Sequence, residues 1–287
     1  MKKKDGKEKT KKTKQKEIAF HVITLFPELV ESYLSHSILK RGIEDKRFRA
    51  HATNPRDFTT DKHHKADDRP YGGGPGMVLK AEPILKAVEE VLRKSKVQSP
   101  KSKVMTDDSR LMTKILIMSP RGRQFTNDYA KKLVKDYDHI VLIAGHYEGI
   151  DARVVKALRD RVKVMSHKSS DIRKSSGLRT RDSGLSVEEV SIGPYTVTGG
   201  ELPALIIIDA AARQIEGVLG ASTSLEESRI TSGETYTRPE TLVWKKREYP
   251  VPKVLRSGHH AAIDRFRQDG TQDGTKGRPR ALNPDGK

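Results

Sequence analysis

Apolar positions along this chain fall into short blocks whose spacing switches between the two periods of regular structure. Ile18–Leu25 runs apolar with few polar interruptions, as a strand does, and Pro27–Arg41 then reads as one helix with proline in its first turn. Phe48–Thr53 is a second strand candidate, and Asn54–Met77 is a long polar, glycine-rich loop of the kind that is usually functional or disordered. Pro83–Arg93 has helical spacing, Lys114–Met118 is a short apolar strand, Thr126–Asp136 a helix and His139–Ala144 a buried strand. Asp151–Arg161 is helical, Val187–Ile192 and Tyr195–Thr198 are strand-like, and Leu202–Ile215 is a strongly apolar helix. Alternation of strand and helix on this scale predicts an α/β class with a parallel sheet covered on both faces.

The pattern also divides the chain. Residues 1–17 form a low-complexity lysine tract expected to be disordered, 18–220 the main domain, 221–240 a polar linker and 241–287 a small last domain. That last domain shows one helix, around His259–Gln268, and frays from Asp269. Residues 162–185 interrupt the main domain as a basic, serine-rich insertion, read as an exposed excursion.

Charge changes the picture less than its size suggests. The formal net charge of +18 favours a polyanionic partner, nucleic acid ahead of an acidic membrane surface. Yet 1–17 (net +6), 93–114 (net +5) and 162–185 (net +4) hold most of the excess, and all three read as tails or loops. The sum therefore marks no docking face. The sequence contains no cysteine, which rules out disulfides and thiolate chemistry within it. The lysine-rich start has no apolar stretch behind it, and the most apolar segment, Leu202–Ala212, contains Asp209 and is too short to span a bilayer, so a cytoplasmic protein away from membranes is expected.

Candidate chemistry sits in four loops. Asp67–Met77 reads DDRPYGGGPGM; its glycines strip away side chains so that a ligand or another backbone can approach closely, and no Walker or dinucleotide fingerprint accompanies them. Ser119–Arg123, Gly145–Gly149 and Ile192–Gly200 each follow a strand, and ligands of open α/β sheets bind where such loops converge. Tyr147 and Tyr195 can pack or hydrogen-bond there. Taken singly, each of these three loops is better explained as a glycine turn joining two elements. His63, His64, His259 and His260 lack zinc-ligand spacing.

In order along the chain, PELVESY, NPRDFTTDKHHKADDRPYGGGPGM, MSPRGR, GHYEGID, EEVSIGPYTVTGGELPA and TRPE resemble the bacterial tRNA guanine-37 N1-methyltransferases of TrmD type, over roughly Ile18–Arg267. The resemblance implies a SPOUT-type parallel sheet with a deep trefoil knot, a homodimer with active sites shared between subunits, and S-adenosylmethionine as methyl donor. It implies cofactor contacts at Ser119, Pro120, Gly122, Gly145, Tyr147, Gly149, Ile192, Gly193, Pro194, Tyr195, Thr196, Val197, Gly199 and Gly200. It also implies a tRNA substrate with guanosines 36 and 37, contacted by Asp67, Arg69, Ser257, Gly258 and His259, with Lys245, Lys246 and Arg247 free to meet phosphates. Arg213 stands where the family has an arginine that steadies negative charge on guanine O6, and Glu148 matches an acid linked to magnesium dependence, so a Mg²⁺ role is implied near it.

The base that takes the N1 proton is an aspartate in the family's linker; here Glu227 takes its place, with Glu226 beside it as the alternative. Two departures stand out: the insertion at 162–185, and a last domain shorter than in relatives that continue as a helical bundle. Two rival readings remain open. One is a ribose 2′-O-methyltransferase, against which the DDRPYGGGPGM block and the linker carboxylate argue. The other is a catalytically impaired, knotted RNA-binding protein, motivated by Glu227 and the short last domain and opposed by the intact cofactor loops.

Overall fold

A computed structural model describes residues 18–98, 112–176, 184–219 and 234–269. The chain divides into two compact units, the first ending at Leu219 and the second beginning at Gly220.

The first unit is built on a five-stranded sheet in the order β2-β1-β6-β5-β7, all neighbours parallel. Its strands are β1 (Ile18–Ile23), β2 (Phe48–Thr53), β5 (Thr113–Gln124), β6 (His139–Ile143) and β7 (Leu185–Ser191). Parallel strands need crossovers, and helices supply them. The strand period of two divides the core. Phe20, Val22, Leu116, Ile140 and Leu142 face one layer, with α4 (Asn127–Asp136) and α6 (Glu201–Ala212). Ile23, Ile115, Ile117, Val141 and Ile143 face the other, with α3 (Ala81–Gln98) and α5 (Arg153–Ser176). β6, central in the sheet, is buried along its whole length, and β5 and β1 are nearly so in the paired region. That explains their near-continuous apolar sequences.

Several expectations shift. The helix foreseen over Pro27–Arg41 is two helices, α1 (Pro27–Leu34) and α2 (Ser37–Glu44), with Ser37 in the left-handed region at φ 55°. Ser35 Oγ (2.7 Å) and His36 Nδ1 (2.8 Å) both reach the Ser32 carbonyl, and this local competition for the backbone ends α1. The helices foreseen over Pro83–Arg93 and Asp151–Arg161 run on to Gln98 and Ser176, so the first part of the 162–185 insertion prolongs α5 rather than looping out. Tyr195–Thr198 is irregular, not a strand. The loop at Ser119–Arg123 is instead an irregularity within β5, whose pairing with β7 shifts between Met118 and Arg123, both opposite Val190.

A two-stranded ribbon, β3 (Asp67–Asp68) and β4 (Val78–Leu79), brackets the glycine-rich segment. The second unit holds an antiparallel hairpin, β8 (Thr241–Trp244) and β9 (Arg247–Pro250), followed by α7 (Lys253–Arg256) and α8 (His260–Asp269). The hairpin was not legible in the sequence. No helix among the described residues is long and apolar enough to cross a membrane.

Candidate active site

At the carboxyl ends of β5, β6 and β7 the backbone leaves a cavity of about 190 Å³. This is where ligands of open α/β sheets bind. Ser119 and Pro120 reach it from the β5 irregularity, Gly145, Tyr147, Glu148 and Gly149 from the turn after β6, and Ile192, Tyr195, Thr196, Val197, Gly199 and Gly200 from the segment after β7. Residues that the sequence places in three separate loops thus share one wall-lined space, with more apolar than polar surface.

The cavity exists because main chain packs on main chain. Gly200 N donates to Gly145 O at 2.6 Å, and His146 and Gly199 form an antiparallel bridge. A methyl group on Gly200 would lie 2.6 Å from Ala144 Cα and 2.6 Å from Gly145 N, so only glycine allows the 192–200 segment to lie across the end of β6. Gly122 has the same role elsewhere: a methyl there would strike the backbone of Glu189 and Val190. Gly122, Gly193 and Pro194 do not line the cavity; Gly122 and Gly193 are instead close-packing positions, Gly193 against the Tyr195 ring. Ser191 Oγ donates to Gly193 O (2.9 Å) and accepts from Gly193 N (3.2 Å), closing the turn.

Met118, His146, Val190, Ser191, Thr198 and Pro203 also line the cavity and were not singled out from the sequence. His146 packs edge-on against Phe26 (5.0 Å) and Tyr147 (4.7 Å), and its Nδ1 lies 3.7 Å from Glu201 Oε2. Glu201 is buried and accepts from the Thr24 hydroxyl at 2.8 Å. Their sequence signal was position alone: each lies inside one of the quoted motifs, among or beside the residues that were named.

Glu148 belongs to two places. Its carboxylate accepts from Met77 N at 2.7 Å, docking the glycine-rich segment on the β6 turn, and it also lines a larger groove of about 1210 Å³ with Asp68, Arg69, Lys80 and Arg153. Arg69 lies in that groove rather than in the first cavity, and Asp67 lines neither. Among the described residues no group of three or more histidines, aspartates or glutamates is arranged to hold a metal ion.

One wall is anchored by a partly buried charge cluster. Glu188 Oε2 accepts from Lys114 Nζ and from the Tyr129 hydroxyl, both at 2.7 Å, and Arg123 lies 3.7 Å from Oε1. Burial opposes the Glu188 charge, but the Lys114 and Tyr129 hydrogen bonds outweigh it and hold the carboxyl below its ordinary range; Tyr129 is pushed up by burial and by that same bond.

Arg213 stands just past the end of α6, half-buried, while the opposite end of that helix carries the cavity residues Gly200 and Pro203. At the rise of an α-helix the separation along the axis is about 15–20 Å. Glu226 and Glu227 lie outside the described residues. Ser257, Gly258 and His259 form the exposed turn between α7 and α8, where His259 Nδ1 accepts from Ala262 N at 3.2 Å and caps the helix.

A family model described as tRNA (Guanine-1)-methyltransferase TrmD matches residues 18–284. Among curated proteins, one from Dehalococcoides mccartyi is 38% identical over 251 residues, covering 86% of this chain and 83% of that protein. One from Caldanaerobacter subterraneus subsp. tengcongensis is 40% identical over 253 residues (87% and 85%), and one from Ruminiclostridium cellulolyticum 35% over 261 residues (90% and 92%). Each is named tRNA (guanine-N(1)-)-methyltransferase.

Proposed function

Since the chain belongs to the tRNA (guanine-1)-methyltransferase family, we propose that it methylates N1 of guanosine 37 of tRNA, next to the anticodon, using S-adenosylmethionine. The observation that carries this reading is the cavity at the ends of β5, β6 and β7, where glycine-rich segments from three parts of the chain meet, in a chain the family model spans from residue 18 to 284.

Gly145, Gly149 and, from the run Ile192–Val197, the cavity-lining Ile192, Tyr195, Thr196 and Val197 are the residues that would hold the donor, through main-chain amides and carbonyls and the flanking side chains. The donor supplies an electrophilic methyl group. The chain's own work is on the guanine. N1 carries a proton near neutral pH, and Glu227 is proposed to accept it, leaving negative charge shared between N1 and O6. Arg213 is proposed to face O6 and lower the energy of that charge. Orientation of N1 towards the methyl group falls to the walls, with Asp67 and Arg69 on the substrate side.

Two structural proposals accompany the reading. The first is a trefoil knot: the β5 irregularity packs its Gly122 on the β7 backbone, and the segment after β7 crosses back over Ala144 and Gly145, the close contacts a threaded chain requires. The second is a homodimer. Arg213 is far along α6 from its own cavity, so a second copy is what completes the site. Exposed Leu29 and Tyr33 on α1 and exposed Leu202 and Ile206 on α6 offer apolar faces for it.

A methyl-transfer assay with labelled donor and a tRNA transcript carrying guanosines 36 and 37, followed by nucleoside digestion, tests the function. The expected product is 1-methylguanosine at position 37. Ribose methylation alone, or donor binding without transfer, would overturn it in favour of one of the rival readings.

A further inference from the structure

We propose that the β8–β9 hairpin of the second unit is an RNA-reading finger that stacks Trp244 on an unpaired base of the substrate and holds the flanking phosphates with Lys245, Lys246 and Arg247. The inference deepens the tRNA reading and rests on it.

Three observations converge on this hairpin. The first is its register. Leu242 pairs with Tyr249 and Trp244 with Arg247, so these four side chains share one face of the ribbon, while Val243 and Glu248 point to the other. The second is exposure: Trp244 is 61% exposed and Tyr249 50%, and every residue from Leu242 to Pro250 is exposed. A two-stranded ribbon gains little from burial in that state, and large aromatic surfaces left in water mark binding sites.

The third observation is the tip. Lys245 (φ 49°) and Lys246 (φ 62°) both occupy the left-handed region and form a two-residue turn. Such turns select Asn-Gly or a similar pair, because a side chain at positive φ crowds its own backbone. Two consecutive lysines there are locally unfavourable, and strain of this kind collects at functional positions. What lysine provides that Asn-Gly lacks is positive charge at the apex, beside Arg247 on the Trp244 face.

The charge selects the partner. Residues 241–269 hold seven lysines and arginines against three acids, so the aromatic face is set in a cationic surround. That combination suits single-stranded nucleic acid, where bases stack on aromatic rings while cations follow the backbone. A regular duplex keeps its bases stacked inside and offers this face only phosphates.

The test uses the full-length protein, in which Trp244 is the single tryptophan, so its emission reports on this hairpin alone. Titration with the unmodified guanosine-36/guanosine-37 transcript is expected to quench that emission to saturation, whereas an RNA duplex of equal length is expected to leave it nearly unchanged. Trp244→Ala is expected to raise the Kd and KM for tRNA roughly 5- to 100-fold with kcat kept. The double variant Lys245→Asn, Lys246→Gly relaxes the turn, so its hairpin forms at least as well. It is nonetheless expected to bind tRNA more weakly and to lose about 1.5 from the slope of log affinity against log salt. That result separates an RNA contact from a folding role.

Unchanged tryptophan emission on saturation with tRNA, with a wild-type KM for Trp244→Ala, overturns the finger while leaving methylation intact. Quenching that follows protein concentration without RNA overturns it too, and assigns the face to a second copy. Failure of the wild type to methylate any tRNA while still quenching with it would sink the catalytic reading and not the finger.

Discussion

Gly200→Ala probes the packing on which the site depends. Gly200 has ordinary backbone angles (φ −81°, ψ −6°), so alanine there meets no torsional penalty; the penalty is space. The new methyl would lie 2.6 Å from Ala144 Cα, 2.6 Å from Gly145 N and 2.9 Å from Ala144 C. Favourable carbon contacts begin near 3.5 Å, so about 1 Å of movement is needed. Ala144 and Gly145 follow β6, the central strand, whose both faces are packed, and they cannot yield readily. The 192–200 segment must move instead, stretching the 2.6 Å bond from Gly200 N to Gly145 O and displacing Thr196, Val197 and Gly199 in the cavity wall. Overpacking of this kind costs about 1–3 kcal/mol, or roughly 3–10 °C in Tm for a unit of this size. A 1 Å misplacement of a positioning wall lowers turnover by about a hundredfold. A melting curve and kcat/KM measure the two effects, and calorimetric titration with S-adenosylmethionine reads donor binding, expected to weaken as the wall is displaced. Gly145→Ala is the contrast, since its methyl meets only the Ile150 side chain at 3.2 Å and a small rotation relieves it. Its Tm is expected to stay within about 3 °C of wild type. If Gly200→Ala melts and binds donor like wild type, the claim that backbone packing shapes the cavity is wrong.

Arg213→Ala is expected to lower kcat by about 10²–10³ with donor affinity unchanged, because it acts on charge that develops on the guanine; calorimetry with single-turnover rates distinguishes the two. Glu227→Gln is expected to abolish most turnover, and wild-type rates in that variant would remove it as the base. Glu188→Gln leaves the Lys114 ammonium buried without its ion pair and is expected to cost about 2–3 kcal/mol at pH 7 by denaturant unfolding. The folded Glu188 carboxyl titrates below its unfolded value, so its contribution is complete above about pH 4.3 and lost as pH falls through the folded value. The variant's deficit should shrink in that acid range. His21 behaves likewise. Burial, and then the neighbouring His139, His51 and Arg49, lower its pKa from 6.5 to about 3, so the fold keeps it neutral where the unfolded chain takes up a proton. Stability is full above pH 6.5 and falls with acid towards pH 3, by about 2 kcal/mol between pH 7.5 and 5. His21→Leu should remove most of that slope in unfolding curves taken at the two pH values.

Local pattern carried the sheet. The apolar runs at Ile18–Leu25, Lys114–Met118 and His139–Ala144 announce strands because burial on both faces leaves few polar positions to blur them, and the class follows from their alternation with helices. Ordered motifs carried the family, and the loop residues they named include most of those that meet around the cavity. Other features escaped, some through local chemistry that leaves no periodic pattern and some because they depend on distant partners. The break at Ser35–Ser37 comes from side chains bonding one carbonyl, which leaves helical periodicity untouched. The hairpin escaped because its strands have four residues each and its turn uses two lysines where Asn or Gly would have signalled it. That Gly122 and Gly200 pack against backbone far away in sequence, and that His146 faces a buried Glu201, were decided by tertiary structure alone. Composition specifies which residues are small or charged; only the crossing of chain segments far apart in sequence determines which of them touch.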